Sequence, residues 1–374
     1  MIKLTKLVCV LAVIANGTTA VHAELPKPDG KPADMSKPVK VFIMMGQSNM
    51  VGLGAITRGS AHPLEKAVKE KKLYQFLLDE SGNWAERKDV RYVSIIQGGS
   101  KKEQTHNEWL RIGGGAWTRP AGFMGVEYSI GHLLGNAYAD PILLLKCANG
   151  NRSLGYDLLP PGSKGYDFEI TNKKTGANTM YTYAGYGEGP MRWEKGTKPE
   201  PVTKDAHVRA GEQYDFDTGN AKHVLANLDK YYPGAKGYEV AGFFFWQGES
   251  DCGDAALAAH YEENLVNFIK SVRKDFNAPN AKFVLATLGE CVKGMQPSKT
   301  QSITSNRAHV LNAHLAVDGT SGKYPEFKGN VATVYTHDMA QGGEGNGHYG
   351  KNAEVYMDVG LAMGEAMLEL LKKD

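Results

Sequence analysis

Six short apolar runs alternate along this chain with longer segments whose apolar residues recur at helical spacing. Runs such as 41–45 (VFIMM) and 240–246 (VAGFFFW) contain almost no polar residue, so the strands they predict must be buried on both faces. A parallel sheet covered by helices on both sides buries strands in this way. We therefore expect an α/β protein with three layers, α/β/α, around a central, mostly parallel sheet. The predicted strands are 41–45, 91–96, 141–145, 240–246, 282–287 and 331–335, and the predicted helices are 63–78, 126–138, 221–232, 255–275, 305–317 and 353–371.

The alternation pauses between about 155 and 218, where Gly, Lys and Tyr are frequent and no clean period is present. This predicts one long loop region inserted into the core layers, and loops of this length are usually functional or mobile. Its aromatic residues have two interpretations, because they can stack on a sugar or pack against their own domain. They are Tyr156, Tyr166, Tyr183, Tyr186 and Trp193.

The first 23 residues have the features of a secretory signal peptide. Lys3 and Lys6 precede an apolar run at 7–14, and small residues lie around Ala23. The run is too short to cross a bilayer, so we expect cleavage after about Ala23 and no membrane span in the mature chain. Residues 24–40, rich in Pro, Lys and Asp, predict a linker, and 41–374 predict one domain. We expect an exported protein, periplasmic or extracellular.

Composition excludes several classes of protein. With 42% hydrophobic and 22% charged residues, the chain is typical of a folded globular protein. Without Lys3 and Lys6, 41 basic residues balance 41 acidic residues, so no basic field is available to attract nucleic acid. Cys147, Cys252 and Cys291 allow at most one disulfide, and their spacing is unlike a zinc site, so we expect no metal and no other cofactor. The sequence leaves the oligomeric state open.

Polar turns follow three of the predicted strands directly. They read GQSN at 46–49, NGNR at 149–152 and QGESD at 247–251. Because ligands of parallel α/β sheets bind outside the carboxyl ends of the strands, we expect these turns to meet at one edge. A serine held there after a tight turn suits a nucleophile, although a single serine in that place also commonly caps a helix.

Acyl transfer from such a serine needs a base and donors for the oxyanion. The N–H groups of Ser48 and Gly150 and the amide of Gln247 are candidate donors, although a turn glycine and a satisfied amide are the alternative interpretations. His348, in a Gly-rich loop before the last helix, is our candidate base, and His337 is closer to its strand and more typical of a structural histidine. Candidate substrate-binding residues at the same edge are Gln47, Asn49, Asn149, Arg152 and Glu249. A Ser-His esterase explains these turns best.

Four motifs, in this order, resemble those of the SGNH-hydrolase superfamily, and more narrowly its carbohydrate esterases of the sialate O-acetylesterase type. They are GQSNM at 46–50, KCANGNRSL at 146–154, WQGESD at 246–251 and GHYG at 347–350. The resemblance implies the flavodoxin-like fold of that superfamily, with Ser48 as nucleophile, Gly150 and Gln247 in the oxyanion hole and His348 as base. It implies removal of ester-linked acetyl groups from a carbohydrate, such as sialic acid or the side groups of plant or algal polysaccharides.

The orienting acid departs from the superfamily pattern. An aspartate three residues before the base usually completes the triad, and position 345 here is Gly. Glu344 is our candidate acid, with Asp338 and Glu249 as alternatives. A dyad, in which a backbone carbonyl accepts the imidazole N–H, is the further option.

Two other classes of function stay open at this point. A glycan-binding protein that kept an esterase fold and lost the chemistry is the main alternative, and the missing aspartate is its support. A metal-dependent hydrolase using Asp251, Glu249, His348 and His337 is weaker, because no pair of histidines has the helical spacing of metal ligands.

Overall fold

The computed structural model describes residues 25–98, 101–113, 122–172, 174–197, 199, 208–298, 300–340 and 348–372. The predicted signal peptide, 1–23, lies outside these residues, and 25–38 contain neither helix nor strand. The strands are β1 (Val39–Gly46), β2 (Gly54–Ala55), β3 (Arg87–Gly98), β4 (Lys101–Leu110), β5 (Phe123–Met124), β6 (Ile142–Lys146), β7 (Tyr166–Thr171), β8 (Asn178–Tyr183), β9 (Arg192–Glu194), β10 (Tyr238–Trp246), β11 (Lys282–Ala286) and β12 (Val331–Val334).

The α-helices are α1 (Ser48–Val51), α2 (Leu64–Lys69), α3 (Glu127–Ala137), α4 (Glu212–Ala226), α5 (Leu228–Tyr231), α6 (Glu249–Cys252), α7 (Ala255–Ala259), α8 (Tyr261–Asp275), α9 (Ile303–Ala316) and α10 (Ala353–Leu371). Short 3₁₀ turns lie at Gln75–Leu77, Pro325–Phe327, His337–Met339 and His348–Lys351. Among the described helices, none combines the length and the apolar character that crossing a membrane requires.

The central sheet confirms the predicted fold class. Seven strands of the described chain form it in the order β12–β11–β10–β1–β6–β3–β4, and all pairs are parallel except β3–β4. Ile43 on β1 pairs with Phe243 on one side and with Leu145 on the other. The strand β1 is therefore central, and its two neighbours are the strands whose polar turns the sequence singles out.

Helices cover both faces of the sheet, as the apolar strands require. Val41, Ile43 and Met45 pack with buried residues of α4, α8 and α9. The alternate residues Phe42 and Met44 pack with those of α2, α3 and α10 on the other face. Each strand residue is thus buried whichever way its side chain points, which is the physical reason for the unbroken apolar runs.

All six predicted strands are present, and most helix bounds differ. The helix predicted at 63–78 ends at Lys69, because Lys72 and Tyr74 take left-handed backbone conformations with φ of 58° and 52°. The helix predicted at 255–275 is divided at His260 into α7 and α8. The helix predicted at 221–232 begins earlier, as α4, and continues after a break as α5. The edge strand β4 was not predicted.

The inserted region 155–218 contains secondary structure that the sequence did not indicate, including the first residues of α4. The strands β7, β8 and β9 form a three-stranded antiparallel sheet within it. Exposure alternates along β7, from half-buried Tyr166 to exposed Asp167, because one face of this small sheet packs inward with Ala256 and Leu257 of α7.

The aromatic residues of this region pack against the domain, the second of the two interpretations. The Tyr166 ring stacks on Tyr183 at 5.3 Å and on His260 at 3.6 Å between centroids. Tyr156 is buried, with Trp193 packed against its cluster, and the Tyr186 hydroxyl donates to Asp215 at 2.8 Å. Cys147, Cys252 and Cys291 are all buried free thiols.

Candidate active site

The turn after β1 leaves one hydroxyl accessible among buried neighbours. Gly46 has φ of +142°, and a β-carbon there would lie 2.2 Å from the carbonyl oxygen of Trp246, so only glycine fits. The Gln47 N–H donates to that oxygen at 3.1 Å, which ties the turn to β10. Gln47 and Asn49 are 3% and 2% exposed, while Ser48 between them is half-buried. The serine hydroxyl is therefore held at the carboxyl end of the sheet.

The structure brings His348 to this serine. The ring Nε2 lies 2.9 Å from Ser48 Oγ, although the two residues are 300 positions apart in the sequence. Partial burial of the ring, followed by the nearby Lys351 ammonium, lowers the pKa of His348. The imidazole is thus favoured in the neutral form that can accept a proton.

The backbone that carries His348 is left-handed. Four consecutive residues, 348–351, have φ between 49° and 60°, and Gly350 is the single glycine among them. A left-handed turn costs roughly 1–2 kcal/mol for each residue other than glycine. Packing around the turn must supply that energy, and the strain marks the turn as a place where position matters.

The backbone N–H groups of Ser48 and Gly150 are the two main-chain donors that the sequence predicts for an oxyanion. In the described part of the chain, neither the Ser48 N–H nor the Gly150 N–H donates to a protein acceptor. Gly150 lies next to the serine, because a β-carbon built on it would be 3.8 Å from Ser48 Cβ. An oxyanion hole needs donors that have no other partner, so the oxyanion role of these two N–H groups stays a prediction.

Gln247 is fully buried, and its amide already has protein partners. Its Nε2 lies within hydrogen-bond distance of Asp251 Oδ2 at 2.6 Å, the Arg152 carbonyl at 2.9 Å and Gln47 Oε1 at 3.2 Å. Its Oε1 accepts from the Tyr261 hydroxyl at 2.7 Å. Gln247 therefore ties the three polar turns together, and an oxyanion role would require it to exchange one of these bonds for the substrate.

Asp251 completes this framework, and sequence reasoning missed its role. Its carboxylate accepts the backbone N–H groups of Leu154 and Gly155, both at 2.8 Å, so it joins the turn after β10 to the turn after β6. Burial raises its pKa to about 6. Asp251 stands in a motif that the sequence singled out, but nothing in the sequence points to its backbone partners.

Three of the predicted substrate-binding residues, Gln47, Asn149 and Arg152, are buried and hydrogen-bond to other protein groups. Gln47 Oε1 accepts from the Ser250 N–H, and Asn149 and Arg152 both donate to Gln213 Oε1, at 3.4 Å and 3.0 Å. Asn149 and Arg152 are 6% and 5% exposed. Their substrate-binding role stays a prediction, since these contacts show where the side chains lie and not what they bind.

Within the described residues, no carboxylate hydrogen-bonds to the His348 ring. The candidate acid, Glu344, lies outside them. Asp338 is exposed, and Glu249 accepts the Asn49 amide instead. Burial, followed by the charge of Glu290, raises the pKa of Glu249 to about 8. A carboxyl that is mostly protonated at neutral pH is poorly suited to stabilise an imidazolium ion.

His337 contacts a backbone carbonyl and not the serine. Its Nδ1 lies 2.6 Å from the Gly289 oxygen, in the turn after β11. Across the described residues, no three His, Cys, Asp or Glu side chains group together as a set of metal ligands.

Residues 210–369 match the family model described as carbohydrate esterase, sialic acid-specific acetylesterase. The matched part contains Gln247, Glu249 and His348, and Ser48 and Gly150 precede it. The match confirms the resemblance to the sialate O-acetylesterase type and supports an esterase function in general. No curated protein sequence matches the chain.

Three solved structures are similar to the chain at low identity. A protein from Arabidopsis thaliana has 15% identity and a TM-score of 0.47, over 89% of this chain and 98% of its own. A carbohydrate acetylesterase from Xanthomonas citri has 14% identity and a TM-score of 0.47, over 90% of this chain and 57% of its own, so this chain spans little more than half of that protein. NanS has 12% identity and a TM-score of 0.44, over 90% of this chain and 99% of its own.

Proposed function

We propose that this chain, whose residues 210–369 match the sialic acid-specific acetylesterase family, is a serine esterase that removes O-acetyl groups from carbohydrates. The observation that carries the proposal is the 2.9 Å contact between Ser48 Oγ and His348 Nε2 at the carboxyl end of the sheet. A nucleophile and a base within hydrogen-bond reach are the minimum for acyl-enzyme chemistry.

In the proposed mechanism, His348 Nε2 takes the proton of Ser48 as the serine oxygen bonds to the acetyl carbon. The carbonyl electron pair moves to its oxygen, which the N–H groups of Ser48 and Gly150 stabilise. When the tetrahedral intermediate collapses, the ester bond breaks and His348 protonates the departing sugar oxygen. Water, deprotonated by His348, then attacks the acetyl-serine and releases acetate and the free serine.

The lowered pKa of His348 supports its role as base, because the ring must be neutral before the attack. Glu344 stays our candidate for the orienting acid, with Asp338 and Glu249 as alternatives and a Ser48–His348 dyad as the remaining option. The raised pKa of Glu249 makes it the least suitable of the three carboxyls. Replacement of Glu344 by Gln tests this acid, because kcat falls if Glu344 orients His348 and stays unchanged if another acid or a dyad does the work.

The proposed substrate is an acetylated carbohydrate outside the cytoplasm, either an acetylated sialic acid or the acetylated side groups of a plant or algal polysaccharide. The signal-like first 23 residues support export to the periplasm or beyond. The narrower choice among these sugars is open to a comparison of acetate release from each of them.

The experiment compares wild-type protein with Ser48→Ala on p-nitrophenyl acetate and on acetylated sugars, together with labelling by a fluorophosphonate. We expect the variant to lose turnover by at least about 10³-fold and to lose labelling, with the thermal transition unchanged. Ser250→Ala is the matched control, because Ser250 lies at the same edge and its hydroxyl donates to Asn151 instead of a histidine.

Full turnover in Ser48→Ala would overturn the proposed mechanism. A wild-type protein that binds acetylated glycans without turnover and without labelling would instead establish the non-catalytic glycan-binding alternative.

A further inference from the structure

The left-handed turn at 348–351 needs a partner that holds it, and Tyr349 has the contacts to do so. Its side chain is 3% exposed, although His348 before it is exposed. The Tyr349 ring stacks on Trp246 with 5.8 Å between centroids and 14° between planes. A ring that is buried directly beside an exposed histidine fixes the backbone from which that histidine projects.

The phenol oxygen of Tyr349 anchors the same ring to the turn after β11. It accepts the Gly289 N–H at 3.1 Å. A β-carbon at Gly289 would lie 2.5 Å from the ring, so the slot fits the tyrosine only while position 289 is glycine. The ring is thus enclosed by the end of β10 on its face and by residue 289 at its edge.

The same oxygen also meets the turn that carries the serine. The Asn49 amide donates to it at 3.4 Å, and the Tyr356 hydroxyl holds Asn49 by donating to its Oδ1 at 2.9 Å. Asn49 follows Ser48 in the chain, and Tyr349 follows His348. The residues next to the nucleophile and next to the base therefore touch each other beneath the reacting groups.

We propose that Tyr349 is a positioning residue, which sets the 2.9 Å contact between Ser48 and His348 by holding the left-handed turn against Trp246, Gly289 and Asn49. This inference rests on the proposed function, because it needs Ser48 and His348 to be the reacting pair. Tyr349 is 3% exposed, so we expect its effect to fall on the chemical step and not on substrate binding. By fixing the backbone of the turn, Tyr349 would orient the His348 imidazole. This effect does not depend on which group accepts a hydrogen bond from the ring Nδ1.

The test uses Tyr349→Phe, which keeps the stacked ring and removes the oxygen. We expect kcat on p-nitrophenyl acetate to fall roughly 10- to 100-fold with KM nearly unchanged, because small displacements of reacting groups cost about that much. Labelling of Ser48 by a fluorophosphonate should slow by a similar factor. The matched control is Tyr232→Phe, which also removes a buried phenol bonded to a backbone group, Asp89 O at 3.2 Å, and should leave kcat unchanged.

Equal melting temperatures for the two variants, with kcat lost only in Tyr349→Phe, would support the inference. Equal kcat values in the two variants would overturn it. If Tyr349→Phe does not fold, Gly289→Ala is the second variant. Its added methyl group would displace the Tyr349 ring, so we expect kcat to fall in this variant as well. Retained kcat in that variant would also overturn the inference.

Failure of this inference is distinguishable from failure of the proposed function. If wild-type protein is labelled at Ser48 and hydrolyses the ester, and Tyr349→Phe behaves like the control, only the positioning role is lost. If Ser48→Ala retains turnover, the reacting pair itself is wrong.

Discussion

Glu249 provides a prediction that links the site to the stability of the fold. One of its oxygens accepts the Asn49 amide, and the other has no hydrogen-bond partner among the described residues. Burial and the nearby Glu290 raise its pKa from 4.5 to about 8. In the folded protein this carboxyl therefore keeps its proton at pH 7, while in the unfolded chain it loses that proton near pH 4.5.

This difference in pKa makes the stability of the fold depend on pH. Between about pH 4.5 and pH 8 the folded state binds a proton that the unfolded state has released, so the free energy of unfolding falls as the pH rises. A shift of this size corresponds to at most about 4–5 kcal/mol. Glu249 keeps partial exposure, which screens the cost of its charge, so we expect roughly 2–3 kcal/mol.

Glu249→Gln removes the titration and keeps an oxygen that can accept from Asn49. Urea unfolding of both proteins at pH 5, 6, 7 and 8 measures the free energy of unfolding. As the pH rises, this free energy should fall more in the wild type than in the variant, so the variant becomes the more stable of the two by a growing margin. The control is Glu239→Gln, because Glu239 is exposed and paired with Lys40. Its free energy of unfolding should change with pH as that of the wild type does. Parallel curves for Glu249→Gln and wild type would refute the reasoning.

The same variant tests the candidate acids. A protonated Glu249 contributes no negative charge at pH 7, so we expect Glu249→Gln to keep kcat within a factor of about three. A loss of about 10³-fold or more would show that Glu249 is the ionised partner of His348. A rise in KM alone would indicate a contact with substrate.

Three further substitutions have expected outcomes. Gly46→Ala should destabilise the fold by more than about 2 kcal/mol in urea unfolding, because its methyl group would lie 2.2 Å from a backbone oxygen at positive φ; unchanged stability would contradict this. Gly150→Ala should leave the melting temperature unchanged and lower turnover by roughly tenfold, since its methyl group fits at 3.8 Å from Ser48 Cβ but narrows the space over the serine; unchanged turnover would contradict this steric effect. Lys351→Gln should move the acid limb of the kcat/KM profile to higher pH, because it removes a cation that lowers the pKa of His348; a shift to lower pH would contradict that cause.

The central sheet could be predicted from the sequence because its physical cause is local. Strands buried on both faces need apolar residues at nearly every position. The sequences of β1, β6, β10 and β11 have such apolar runs. The edge strand β4, with the sequence KKEQTHNEWL, has no such signal, because it pairs on one side with β3 and carries charged residues. The small sheet of β7, β8 and β9 was not predicted, because its strands are only three to six residues long. Half-buried and exposed residues alternate along the whole strand only in β7.

The site shows the same division between local and distant causes. Ser48 and His348 could be proposed because each follows a strand end in a glycine-containing turn, where ligands of such sheets bind. The roles of Tyr349 and Asp251 could not, because they depend on contacts with Trp246, Gly289, Leu154 and Gly155 that no spacing in the sequence encodes.

The strand order gives Ser48 and His348 different surroundings. The order β10–β1–β6 places the turn of Ser48 between the turns of Gln247 and Gly150, so three neighbouring strand ends bring together the proposed nucleophile and its proposed donors. The loop that leads to His348 leaves β12, which is separated from β1 by β11 and β10. The histidine must therefore reach across two strand ends, and Tyr349 contacts both of them, Trp246 at the end of β10 and Gly289 after β11. If His348 is the base, as we propose, its position depends on the strands that its loop crosses, and substitutions at these contacts should then lower kcat as well as substitutions in the reacting pair.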